Sequence, residues 1–240
     1  MQLVLAPGLL CDAEVWRAQR AALAEFGDIF IPQYAQLNSL PAMAERLLGS
    51  VKGSFAIAGH SMGGRVALEV FRQAPQRVLG LALLDTAYQP LAGGEVGEKE
   101  RAGRLKLLNI AQTQGMHAMA SEWVLPMVHP SRHEDRALLD TIVRMMERAS
   151  PEIYAAQINA LLCRPDATKL LPQIACPVLT LCGAEDLWSP AARHREMAQM
   201  VQHGEFVVIP DCGHMSPMER PGAVNVALRD WLKRIAARPA

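Results

Sequence analysis

Six short apolar runs, separated by longer stretches of helical period, restrict what this chain can fold into. They lie at 2–6 (QLVLA), 29–31 (IFI), 55–59 (FAIAG), 78–85 (VLGLALLD), 177–183 (PVLTLCG) and 206–210 (FVVIP). Each is too short for a stable helix and lacks polar alternation, as expected of a strand buried on both faces of a parallel sheet. Residues 13–26, 41–51, 62–74, 191–201 and 221–236 carry helical period, and Ser39 is placed to cap the second of these segments ahead of Pro41. The alternation predicts an α/β, doubly wound sheet of six strands, all parallel, with right-handed crossovers. Ligands bind such sheets beyond the carboxyl ends of the strands.

One stretch departs from this rhythm. Between residues 87 and 171 there is no credible strand, and LKLLNIAQ, MHAMASEWVLPMV, ALLDTIVRMMERA and EIYAAQINALL read as three or four amphipathic helices. Gly93, Gly94, Pro130, Pro151 and Pro165 punctuate them. The expectation is a core of 1–86 and 172–240 with a helical cap, 87–171, over the active edge. The competing reading makes the same helices an extension of the core.

The length of 240 residues suits one domain with an insertion. Lys plus Arg and Asp plus Glu balance at 24 each, and no basic run marks a nucleic-acid surface. The five cysteines, Cys11, Cys163, Cys176, Cys182 and Cys212, are odd in number and form no CxxC. They read as reduced, buried thiols of a cytoplasmic protein, and no histidine falls at ligand spacing beside them, so no metal or other cofactor is expected. The N-terminal run has no basic lead-in and breaks at Pro7-Gly8, unlike a signal sequence, and no segment reaches membrane-spanning length. The expected partner is a small molecule, acting on a monomer or homodimer.

AGHSMGG, residues 58–64, places Ser61 between a buried strand and a helix. In that context G-x-S-x-G is a sharp turn that displays the serine hydroxyl above the sheet, and Gly59 and Gly63 are small because a side chain there would strike the adjoining strand and helix. The competing reading is a glycine-rich turn with a serine cap. A serine hydroxyl needs a base, and the base an orienting acid. Of seven histidines, His214 alone sits in a loop just after the last strand, on the active edge. His60 adjoins the serine but points away from it, in a structural role. For the acid, Asp186 in CGAEDLWSP follows the fifth strand; Glu185 beside it and Asp85 at the end of the fourth strand are its rivals, while Asp211 shapes a turn. The order Ser61, Asp186, His214 is the one this serine motif predicts.

Acyl transfer also needs donors for the developing oxyanion. The amide of Met62, at the helix start, is one choice; Leu9 in the loop after the first strand is the other, with Leu10 as runner-up and Pro7 unable to donate. Leu9, Leu10, Met62, Trp123, Trp188 and Met215 form the expected substrate walls, suited to a small apolar group. Arg65 lies one helical turn beyond Ser61 on the same face. There it is placed to bind a substrate carboxylate, to pair with a nearby acid, or to lie at the helix surface.

PGLLCDAEVW, GHSMGGRVALEV, CPVLTLCGAEDLWSP and GHMSPMERP resemble, in order, the oxyanion loop, nucleophile turn, acid loop and histidine loop of the α/β-hydrolase superfamily, in particular its small capped carboxylesterases and enol-lactonases. The chain departs from that pattern in carrying Pro7-Gly8 where His-Gly is usual, and in lacking the two strands that commonly precede the oxyanion loop. The resemblance implies a serine hydrolase of small carboxylic esters, lactones or thioesters, working through Ser61, His214 and Asp186 and an acyl-enzyme. Elimination or carbon–carbon bond hydrolysis on the same fold, and a ligand-binding receptor with residual turnover, are the alternatives.

Overall fold

The computed structural model describes residues 1–237, so the last three residues of the expected 172–240 core segment lie outside the described residues. Along the chain, β1 (Gln2–Ala6), α1 (Arg17–Ala22), β2 (Ile29–Phe30), α2 (Leu40–Ser50), β3 (Phe55–His60), α3 (Met62–Gln73) and β4 (Val78–Leu84) follow in turn. Four helices come next: α4 (Gly94–Gln114), α5 (Met116–Val124), α6 (Arg136–Glu147) and α7 (Pro151–Leu162). The alternation then resumes with β5 (Val178–Gly183), α8 (Ala191–Met200), β6 (Gly204–Ile209), α9 (Ser216–Glu219) and α10 (Pro221–Ala236).

The six strands form one sheet in the order β2-β1-β3-β4-β5-β6, every neighbouring pair parallel. The continuous apolar runs have the expected cause, since β3 and β5 are buried along their whole length. The first crossover runs one way across the sheet and the later ones the other. Right-handed connections therefore put α1 on one face and α2, α3 and α8 on the opposite face. α10 returns to the α1 face and packs against α1, β4 and β5. There Trp231 is fully buried and its indole N–H donates to the Pro177 carbonyl at 3.1 Å.

Element boundaries follow local chemistry. Ser39 accepts from the Ala42 amide at 3.3 Å and starts α2, with Pro41 in its first turn. The helix expected at 13–26 is instead a 3-10 turn, Ala13–Trp16, then α1, then a second 3-10 turn, Ala24–Phe26. Asp12 accepts from the Glu14 amide and tightens that start. β6 begins at Gly204, two residues before the expected run, and stops at Ile209 because Pro210 has no N–H for the ladder. Among the described residues no helix is long and apolar enough to cross a membrane.

The carboxyl ends of β1, β3, β4 and β5 meet at one edge, and α3 approaches it closely. A Cβ on Gly63 would lie 2.1 Å from the Ala6 carbonyl oxygen and 2.7 Å from that of Pro7, both rigid backbone. Gly63→Ala must separate α3 from β1, and overpacking of this kind costs about 3 kcal/mol. Denaturant unfolding of the variant should give an unfolding free energy lower by that amount and a correspondingly lower midpoint; an unchanged midpoint would refute the contact.

Candidate active site

Ser61 is the residue that joins β3 to α3. Its backbone sits at φ 54°, ψ −117°, on the half of the conformational map that side-chain-bearing residues avoid. Such a conformation costs about 1–3 kcal/mol and persists only where its surroundings enforce it. Here the Ser61 amide donates to Leu84 at 2.8 Å and the Ser61 carbonyl accepts from the Thr86 hydroxyl at 2.7 Å, tying the turn to the end of β4. Gly59 admits the chain reversal, since its Cβ would lie 2.3 Å from the Gly63 carbonyl oxygen. Gly8 brings the loop after β1 against the same point, where a Cβ would meet Ser61 Cβ at 3.2 Å.

The structure brings three sequence-predicted residues together. His214 Nε2 lies 2.9 Å from Ser61 Oγ, and His214 Nδ1 lies 2.8 Å from Asp186 Oδ2. An ionised carboxylate only accepts, so the Nδ1–H donates to Asp186 and Nε2 is left to accept the Ser61 O–H. The other Asp186 oxygen, Oδ1, accepts the Trp188 and Ser189 amides at 2.9 and 3.0 Å. Burial alone would raise the Asp186 pKa, but the His214 imidazole and these donors outweigh it and hold the carboxyl below its usual range.

The rival acids are engaged elsewhere. Glu185 accepts the Cys212 amide at 3.0 Å. Asp85 is fully buried, takes the Gly183 amide at 3.1 Å on Oδ1 and accepts the Ser216 hydroxyl on Oδ2. Burial, and then the charge of Asp186, push the Asp85 pKa well up. His60 donates from Nε2 to the His214 carbonyl at 2.8 Å. Burial and the neighbouring His214 lower its pKa to about 3, so it is a neutral strut behind His214.

One residue carries a role that sequence reasoning missed. The buried Glu219 carboxylate accepts amides from Gly213 (3.1 Å), Met215 (3.1 Å) and His129 (2.8 Å). The first two flank His214; the third belongs to the segment between α5 and α6. The same segment accepts the His214 amide through the Met127 carbonyl at 2.8 Å. Gly213 makes room for it, since its Cβ would lie 2.8 Å from the Met127 carbonyl oxygen and the His129 nitrogen. No local sequence signal marks Glu219, because one of its donors lies 90 positions away.

A cavity of about 950 Å³ opens at Ser61 and His214. Leu9, Met62, Arg65, Trp123 and Trp188 all line it. Trp188 meets the His214 ring edge-on at 4.8 Å between centroids and stacks on Trp123 at 5.7 Å. Leu10 and Met215, expected on the walls, are not among the lining residues. Leu10 turns at φ 59° so that its amide donates to Gln157 at 2.9 Å, and its side chain packs in the core. Met215 is fully buried beneath the histidine loop. The Leu9 amide and the Met62 amide have no protein acceptor among the described residues.

A family model described as the alpha/beta hydrolase family matches residues 3–227. The chain belongs to that family. It is thus an enzyme of the α/β-hydrolase superfamily, on the six-stranded parallel sheet described above. A thermophilic esterase from Thermogutta terrifontis superposes with a TM-score of 0.86 at 30% identity, over 98% of this chain and 90% of that one. The enol-lactonase from Burkholderia xenovorans gives 0.83 at 25% identity, over 97% and 91%. A pimeloyl-[acyl-carrier protein] methyl ester esterase from Nitrosomonas europaea is 29% identical over 185 residues, 74% of this chain and 71% of its own.

The Asp85 environment makes a pH-dependent prediction. A carboxyl whose pKa is higher folded than unfolded stabilises the fold when protonated; that contribution is full below about pH 4 and is lost as pH rises through the folded value. Asp85→Asn removes the dependence while keeping an amide to face Ser216. The stability of the variant relative to wild type should therefore rise between about pH 4 and pH 8, measured by denaturant unfolding at several pH values. A difference that does not vary with pH would contradict the raised pKa.

Proposed function

We propose that this protein is a serine hydrolase of small carboxylic esters, lactones or thioesters. The observation that carries the reading is the single imidazole, His214, bonded on one side to Ser61 and on the other to Asp186. Ser61 Oγ attacks the substrate carbonyl while His214 Nε2 takes its proton, and the imidazolium so formed is stabilised by Asp186. The amides of Met62 and Leu9 hold the tetrahedral oxyanion, and each such donor contributes about 3–4 kcal/mol in comparable sites. His214 then protonates the leaving alcohol or thiol, the carbonyl re-forms as an ester on Ser61, and a water activated by the same base releases the acid.

The helical insertion, residues 87–171, acts as the lid of this site. It supplies Trp123 to the cavity and docks Met127 and His129 on the histidine loop. Esterase and lactonase relatives support acyl transfer as the chemistry.

Turnover of p-nitrophenyl acetate tests the proposal. Ser61→Ala should lose on the order of 10⁴–10⁶ in kcat, as when a triad serine is removed elsewhere. Asp186→Asn should lose about 10⁴, because the wrong imidazole tautomer then faces the serine. Mass spectrometry of the quenched wild type should show an acetyl group on Ser61. Undiminished turnover by Ser61→Ala, with no adduct on the wild type, would overturn the reading.

A further inference from the structure

Two side chains outside the triad bear on the peptide bond that joins Ser61 to Met62. A trans peptide is planar, so its C=O and N–H point in opposite directions and turn together. The Met62 N–H, one of the two proposed oxyanion donors, is therefore aimed by whatever holds the Ser61 carbonyl. That oxygen accepts the Gly64 amide at 3.0 Å, at the start of α3, and the Thr86 hydroxyl at 2.7 Å. The second bond is the shorter, and it comes from outside the helix.

Thr86 is itself held. It follows Asp85, whose backbone lies in the left-handed region at φ 48°. Its stiff, β-branched side chain is buried against α3, where Gly64 leaves room for it: a Cβ there would lie 2.6 Å from Thr86 Cγ2 and 2.8 Å from its Oγ1. Its amide donates to His194 Nε2 at 3.0 Å. An imidazole nitrogen that accepts carries no hydrogen, so the hydrogen of His194 is on Nδ1, which faces the Pro190 carbonyl at 3.4 Å. His194 is fully buried in α8, and its own carbonyl accepts the Thr180 hydroxyl of β5 at 2.9 Å. Burial lowers the His194 pKa to about 4, so the ring is neutral and free to accept at neutral pH. Pro190 follows Asp186 by four residues and ends the acid loop. One imidazole thus ties the nucleophile turn, through Thr86, to the segment that carries the orienting acid.

We infer that Thr86 and His194 are positioning residues for the oxyanion donor: Thr86 pins the Ser61–Met62 peptide by its carbonyl, which aims the Met62 amide, and His194 fixes Thr86. Both act through the peptide rather than on the substrate. The inference rests on the proposed ester hydrolysis for its chemistry, while the pinning itself rests on the hydrogen bonds to Ser61 and Thr86.

Hydrolysis of p-nitrophenyl acetate by Thr86→Val and Thr86→Ser tests it. Valine keeps the shape of the side chain without the hydroxyl, and serine keeps the hydroxyl. Thr86→Val should lose about 10–100-fold in kcat with KM nearly unchanged, because a tilted donor is missed only in the transition state. Thr86→Ser should recover most of that loss. A trifluoromethyl ketone, whose adduct with Ser61 carries an oxyanion, should bind Thr86→Val more weakly by a similar factor. His194→Leu should also lower kcat, and His194→Gln, whose side-chain oxygen can take the Thr86 amide, should restore part of it. If His194→Leu does not fold, the two Thr86 variants decide the matter, with thermal unfolding confirming that they are folded. Wild-type kcat in Thr86→Val or in a folded His194→Leu, or a loss confined to KM, would overturn the inference. If the wild type hydrolyses no ester, the hydrolytic reading fails by itself, and the pinning is read by nuclear magnetic resonance. The Met62 amide nitrogen senses hydrogen bonding at the preceding carbonyl; its resonance should move in Thr86→Val and return toward the wild-type position in Thr86→Ser. A resonance unmoved in Thr86→Val refutes the pinning.

Discussion

The strained backbone at Ser61 is the constraint on which the rest of the structure depends. A side-chain-bearing residue at φ 54° does not hold that shape by local preference. It is held because β3 enters and α3 leaves at an angle that only tiny residues permit, and because the ends of β1 and β4 close around the turn. Once the serine is displayed there, loops that leave the carboxyl ends of the other strands can bring side chains to it. Asp186 after β5 and His214 after β6 occupy such loops, as does Leu9 after β1.

Three buried carboxyl groups, Asp186, Asp85 and Glu219, and the exposed Glu185 lie near this edge, and their hydrogen bonds sort them into different tasks. Asp186 meets the imidazole and two amides, all donors, and stays ionised. Asp85 meets one amide and one hydroxyl in complete burial, and its pKa moves the other way. Glu185 and Glu219 collect backbone amides of the histidine loop. Glu219 also fastens the segment between α5 and α6 to that loop, so the orientation of His214 and the seating of the helical insertion are mechanically one feature.

Much of this was legible in the sequence, for identifiable reasons. Buried parallel strands show as unbroken apolar runs, which is why all six were found, and the strand–glycine–serine–helix context marks Ser61 without any tertiary information. Chain order pointed to Asp186 and His214. The first helical segment was misread because apolar period does not distinguish a short α-helix bracketed by 3-10 turns from one continuous helix. Leu10 and Met215 were expected on the cavity wall because they neighbour wall residues in the chain; a positive φ at the first and complete burial of the second direct them elsewhere.

By itself, then, the sequence determined the alternation of strands and helices, the displayed serine and the identity of the residues available to serve it. These depend on short-range sterics and on apolar period, which neighbouring residues encode. Only the tertiary structure decided which carboxylate meets His214 and how the insertion grips the histidine loop. Those outcomes depend on groups as far apart as Asp186 and Asp85, or Glu219 and His129, whose hydrogen-bond partners exist only once the sheet has brought its strand ends together.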